Sequence, residues 1–156
     1  QETADILSPL LARIPRTTHE AINEVPFELE GCTLEDAEAR NWDLYTGAPS
    51  HLPQPPDVAA KVVAFFDELL IKHDGESIAL VSHGDVIVFT ILWAFGIELI
   101  PANKHTLQEH GLSDPYPALA SVSSLSFTTN CTKTLPEVSY IRPYGKNLVD
   151  KGSAPK

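Results

Sequence analysis

Apolar and polar positions alternate along the chain at periods that change from helical to strand-like and back. Leu7, Leu10, Leu11 and Ile14 recur at helical spacing, so residues 2–13 are expected to be helical, kinked or split at Pro9 and stopped by Pro15. Residues 17–22 are short and β-compatible, an expected edge strand. Residues 24–31 are acidic and contain Pro26, as a loop would. Thr33 with Asp36 three residues on has the form of a capping box, which predicts a helix over 33–40. Four prolines and a glycine make residues 47–56 a loop. Asp57 is then placed to cap a helix whose apolar face is Val58, Val62, Phe65, Phe66 and Leu69, ending near residue 73 before Asp74-Gly75.

The next segments complete the pattern. Residues 77–82 are largely apolar and suit a parallel strand buried on both faces. His83-Gly84-Asp85 reads as a tight turn. Residues 86–95 are nearly all apolar but too short for a membrane span, being interrupted by Thr90 and Gly96 and closed by Pro101, so a buried helix is expected. Strands are expected at 121–128 and 138–141. This order implies an α/β protein, a three-layer α/β/α sandwich with a mostly parallel sheet. It would form one domain over residues 1–145, followed by a flexible polar tail over 146–156.

Composition narrows the function classes. The 156 residues are 43% hydrophobic and 21% charged, ordinary for one globular domain. The net charge of -10 argues against a nucleic-acid or anionic-membrane partner, which clustered Lys and Arg would serve. It also means that any phosphate site must create its own positive potential. Cys32 and Cys131 lie far apart with no metal-ligand spacing, which fits a reduced, cytoplasmic protein. Asn130-Cys131-Thr132 has the form of a glycosylation sequon, a triplet that arises often by chance. No metal or organic cofactor is implied.

The candidate chemistry centres on Ile78-Ala-Leu-Val-Ser-His-Gly84. A histidine at the carboxyl end of an expected strand, immediately before a helix, lies where open α/β sheets bind ligands. The helix start offers unpaired N–H groups and the positive end of a dipole. Gly84 lets backbone approach a ligand, and His83 is placed to donate to a phosphoryl oxygen or to move a proton. Taken alone, His83 reads better as a capping or turn histidine, and Glu24 as a solvated carboxylate beside Glu28 and Glu30. Asp85 is expected to favour the helix N-terminus. Arg13, Arg16, Lys104, His105 and His110 read best as scattered surface charge, and Trp42 and Trp93 as packing residues.

Three stretches in order resemble the histidine phosphatase (phosphoglycerate mutase-like) superfamily. Val81-Ser82-His83-Gly84 before a hydrophobic helix resembles its second histidine motif. Gln1-Glu2-Thr3-Ala4 resembles the start of the helix after its SSPxxR motif, with one extra residue. Residues 22–31, from Ile22-Asn23-Glu24 to Glu30-Gly31, resemble its LxEhxFGxxEG segment, without the glycine after Phe27. The resemblance implies phosphomonoester hydrolysis through a phosphohistidine, with a phosphorylated small molecule or phosphoprotein as partner. On this sequence His83 matches the second histidine, holding the phosphoryl group with Gly84, and Glu24 matches the proton donor. No Arg-His-Gly triplet occurs, the nearest approach being Ile141-Arg142-Pro143-Tyr144-Gly145, so the family's nucleophile has no counterpart here. The chain also starts at Gln1, inside an expected helix, and contains no Met. These features lead us to expect the C-terminal portion of a longer enzyme, with an unpaired strand edge prone to self-association. A non-catalytic relative that binds phosphorylated ligands is the alternative.

Overall fold

The computed structural model describes residues 2–7, 9, 14–27, 33–142 and 149–151. Four α-helices are present among them: α1 (Glu2–Leu7), α2 (Leu34–Ala39), α3 (Pro55–Lys72) and α4 (Gly84–Ala94). Three strands, β1 (Val122–Ser126), β2 (Glu137–Ile141) and β3 (Val149–Lys151), form one antiparallel sheet in the order β1-β2-β3.

The fold is built around α4. Val88, Phe89, Ile91 and Leu92 are fully buried, as an almost uniformly apolar helix requires. On one side lies α3, which contributes Val58, Ala59, Val62 and Phe66. On the other lie β1 and β2. β2 turns Val138 and Tyr140 inward and Glu137 outward, the two-residue period of a strand with one wet face. Its register with β1 sets Leu125 opposite Val138.

The ends of the helices follow local chemistry. Thr33 caps α2, its hydroxyl accepting from the Asp36 N–H while Asp36 accepts from the Thr33 N–H, so the expected capping box forms. In α3 the cap shifts from expectation. Gln54 is the N-cap, Pro55 opens the helix, and Asp57 reaches back from the third position to accept the Gln54 N–H at 2.9 Å. Proline at the first position loses no helical hydrogen bond, which allows the earlier start.

Several expectations are corrected. The described residues form no mostly parallel, three-layer sandwich. Residues 77–82 form neither helix nor strand among the described residues, and Ile78 and Leu80 are exposed. A strand exists only through a partner, and none of the described strands lies beside this one. The edge strand expected over 17–22 is instead a 3-10 turn, Glu20–Ile22, because His19 Nδ1 accepts the Ala21 N–H and caps it. Within the stretch expected to be a tail, β3 pairs with β2, Ile141 standing opposite Val149. Trp93 packs against the core, but Trp42 is 40% exposed. Of the long first helix, 2–7 is helical, and residues 8 and 10–13 lie outside the described residues.

Candidate active site

His83 is the N-cap of α4 and Gly84 its first residue. The His83 carbonyl accepts the Ile87 N–H at 3.0 Å, the first bond of the helix. The N–H groups of Gly84, Asp85 and Val86 therefore have no helical acceptor and open a positive end beside the imidazole.

Glu24 comes to the same place from far away in sequence. The capped turn Glu20–Ile22 is tied down when Ser82 Oγ donates to the Ile22 carbonyl at 2.8 Å. Val25 is buried and Phe27 packs edge-on against Tyr45. Between these anchors Glu24 points at His83, with Oε2 2.6 Å from Nδ1, an ion pair whenever the imidazole is protonated. The side chains remain 47% (His83) and 54% (Glu24) exposed, so both can meet a ligand from solvent.

Beneath this pair lies a buried polar cluster. Asp85, in the first turn of α4, is 5% exposed and Lys104 is 4% exposed. Lys104 Nζ lies 2.7 Å from Asp85 Oδ1 and 2.8 Å from Oδ2. Tyr45 donates to Oδ2 at 2.8 Å and Tyr116 to Oδ1 at 2.7 Å. The ammonium also faces both phenol rings and donates to the Trp42 carbonyl at 3.1 Å. Burial first, and then Asp85, push both tyrosine hydroxyls far above the ordinary range, so they remain protonated donors. The charge of Glu24 adds to both shifts, which places the cluster within electrostatic reach of the exposed pair.

Each member is held by local structure. Asp43 Oδ1 accepts the N–H groups of Tyr45 and Thr46, a side-chain turn that sets Tyr45 against Phe89. Lys104 sits on the 3-10 turn Pro101–His105. Asn41 and Trp42 both adopt positive φ, common enough for asparagine but unusual for a bulky tryptophan, and the Trp42 carbonyl accepts from Lys104. Tyr116 lies on a loop anchored by Tyr140, whose hydroxyl donates to Asp114 and accepts the Ala118 N–H. Arg142 binds the same carboxylate and, with Tyr140, holds Asp114 below the usual range.

Gly84 is required here by contact. A Cβ at this position would lie 2.1 Å from Tyr116 Oη. The close approach is thus to a side chain of the protein.

The structure brings His83, Gly84 and Glu24 together. Among the other basic candidates, Arg16 pairs with Asp5 and His110 packs on Phe95, while Arg13 lies outside the described residues. Lys104 is no surface charge, and His105 is half-buried against Tyr116 with Nε2 lacking a partner among the described residues. Tyr45, Tyr116 and Lys104 were missed as a cluster. One signal was present: a carboxylate in the first turn of an all-apolar helix must be buried, and a buried carboxylate needs donors. Two concavities, around Arg40, Leu44 and Leu52 and around Asn41 and Pro101, are lined by neither His83 nor Glu24. Among the described residues no cluster of His, Cys, Asp or Glu could hold a metal ion, and no helix is long and apolar enough to cross a membrane.

The family model of the histidine phosphatase superfamily (branch 1) matches residues 1–129. No curated protein and no solved structure gives a match.

Proposed function

We propose that this chain, which belongs to the histidine phosphatase superfamily, serves phosphomonoester hydrolysis, with His83 and Gly84 receiving the phosphoryl group and Glu24 acting as proton donor. One observation carries the reading: the 2.6 Å approach of Glu24 to His83 at the open N-terminus of α4. The imidazole and the free N–H groups offer donors to phosphoryl oxygens. Glu24 stands beside them, where negative charge on a bound phosphoryl group would favour its protonated, acid form.

The nucleophile is outside this reading, since the sequence holds no Arg-His-Gly triplet. That same observation favours a second reading, a module that binds phosphorylated small molecules or phosphoproteins without turning them over. Hydrolysis of an aryl phosphate, measured for this chain and for a version extended upstream, separates the two. Activity only in the extended form, abolished by His83→Ala and reduced by Glu24→Gln, is expected for the hydrolase. Phosphate binding by both forms with turnover by neither would establish the binding module. No binding and no turnover would overturn both.

A further inference from the structure

A phosphate site in this chain faces two electrostatic obstacles. The whole molecule carries a net charge of -10. Worse, Asp85 is adjacent to Gly84 and two residues from His83, in the first turn of the helix that would receive the anion. An ionised carboxylate there both repels a phosphate and takes up the positive end of α4 for itself.

We infer that Lys104 is a positioning residue for the phosphate site, cancelling the charge of Asp85 from beneath so that the N-terminus of α4 stays available to an anion. This rests on the function proposed above. Three observations carry it. Lys104 touches both oxygens of Asp85, at 2.7 and 2.8 Å, which is the arrangement of a dedicated counterion. Both groups are almost wholly buried, so neither solvent nor salt does the screening. The two tyrosines complete the donor set on Asp85, and Tyr116 lies against Gly84, tying the cluster mechanically to the residue that opens the helix. Lys104 touches no ligand in this scheme and acts through Asp85.

The test uses the full 156-residue chain, inorganic phosphate as the probe, and two readouts: phosphate affinity by calorimetry, and the titration of His83 by NMR without phosphate. Lys104→Met leaves Asp85 with its two tyrosine donors but without its counterion. It is expected to raise the His83 pKa by about half a unit and weaken phosphate about tenfold, as one added charge near a monocation and a dianion would. Asp85→Asn is expected to bind phosphate at least as tightly as the parent, with no rise in the His83 pKa. The double variant Asp85→Asn, Lys104→Met is charge-neutral and is expected to lie within about twofold of the parent.

A purely structural pair behaves otherwise: both single variants weaken phosphate alike and the His83 titration does not move, which overturns the inference. Should Lys104→Met fail to fold, the double variant decides, since a tenfold loss in that neutral background would also overturn it. Absence of phosphate binding by the parent counts against the binding-module reading, whereas the His83 titration still reads whether Lys104 and Asp85 act as a charge pair on the site.

Discussion

Gly84→Ala isolates the contact between the candidate site and the buried cluster. The added Cβ would stand 2.1 Å from Tyr116 Oη, 2.8 Å from Cζ and 2.9 Å from Cε1, so the ring must move. Its hydroxyl is held at 2.7 Å by a buried carboxylate, so moving the ring breaks that bond. A hydrogen bond to a charged group contributes about 1.5–3 kcal/mol. Replacing glycine by alanine in a helix returns about 0.5–1 kcal/mol. The difference is a net loss of about 1–2 kcal/mol, which in a domain of this size lowers Tm by about 5 °C. Urea denaturation of four proteins reads the effect: parent, Gly84→Ala, Tyr116→Leu and the double variant. Leucine at 116 removes all three clashing atoms, so in that background Gly84→Ala is expected to be neutral or mildly stabilising. Equal destabilisation in both backgrounds would refute the contact argument, because the cost would then lie in the backbone of residue 84.

Three further outcomes are expected. Ser82→Ala removes the bond to the Ile22 carbonyl. It should cost about 1 kcal/mol in urea denaturation and weaken phosphate binding by releasing the turn that aims Glu24, whereas unchanged affinity would mean that Val25 and Phe27 suffice. Phe89→Ala, at a fully buried position between Tyr45 and the rest of the core, should cost about 3–5 kcal/mol, and a Tm within a degree or two of the parent would contradict the placement of the core. His105 is held below its ordinary value of 6.5, chiefly by burial and then by the charge of Lys104. A depressed histidine means the unfolded chain binds more protons, so this contribution to stability is present above about pH 6.5 and is lost as pH falls through the folded value. Stability measured from pH 8 to 5 should therefore decline less steeply in His105→Gln than in the parent.

Much of the helical framework could be read from pattern alone. The face of α3 and the uniform apolarity of α4 dictate their burial, and Thr33 with Asp36 fixes the start of α2. His83 and Gly84 were legible as a turn leading into an apolar helix, and the structure makes His83 the N-cap of α4 and Gly84 its first residue. Glu24 was not legible from periodicity; it emerged from a resemblance, and its approach to His83 depends on the Ser82 to Ile22 bond, a long-range contact with no local signature. Residues 77–82 misled for a physical reason. Apolarity and β-branching specify what a strand would bury, but pairing is a property of two segments, and the second is not among those described here. Lys104 misled in the opposite direction. Lysine is the residue most often left in water, and only the carboxylate buried on α4 draws this one inward.

The unpaired stretch 77–82 has a consequence for how the molecule exchanges with its solvent. Among the described residues, no backbone amide from Ser77 to Ser82 donates a hydrogen bond, whereas Ile87 is bonded to His83 and begins a helix whose core positions are inaccessible. Deuterium would enter the first stretch at rates near those of an unstructured peptide, and would enter α4 only when the whole domain opens. His83 sits at the step between these regimes. The backbone that carries the ring is thus anchored in a buried helix, while Ser82, on its other side, holds the turn that aims Glu24 at the ring.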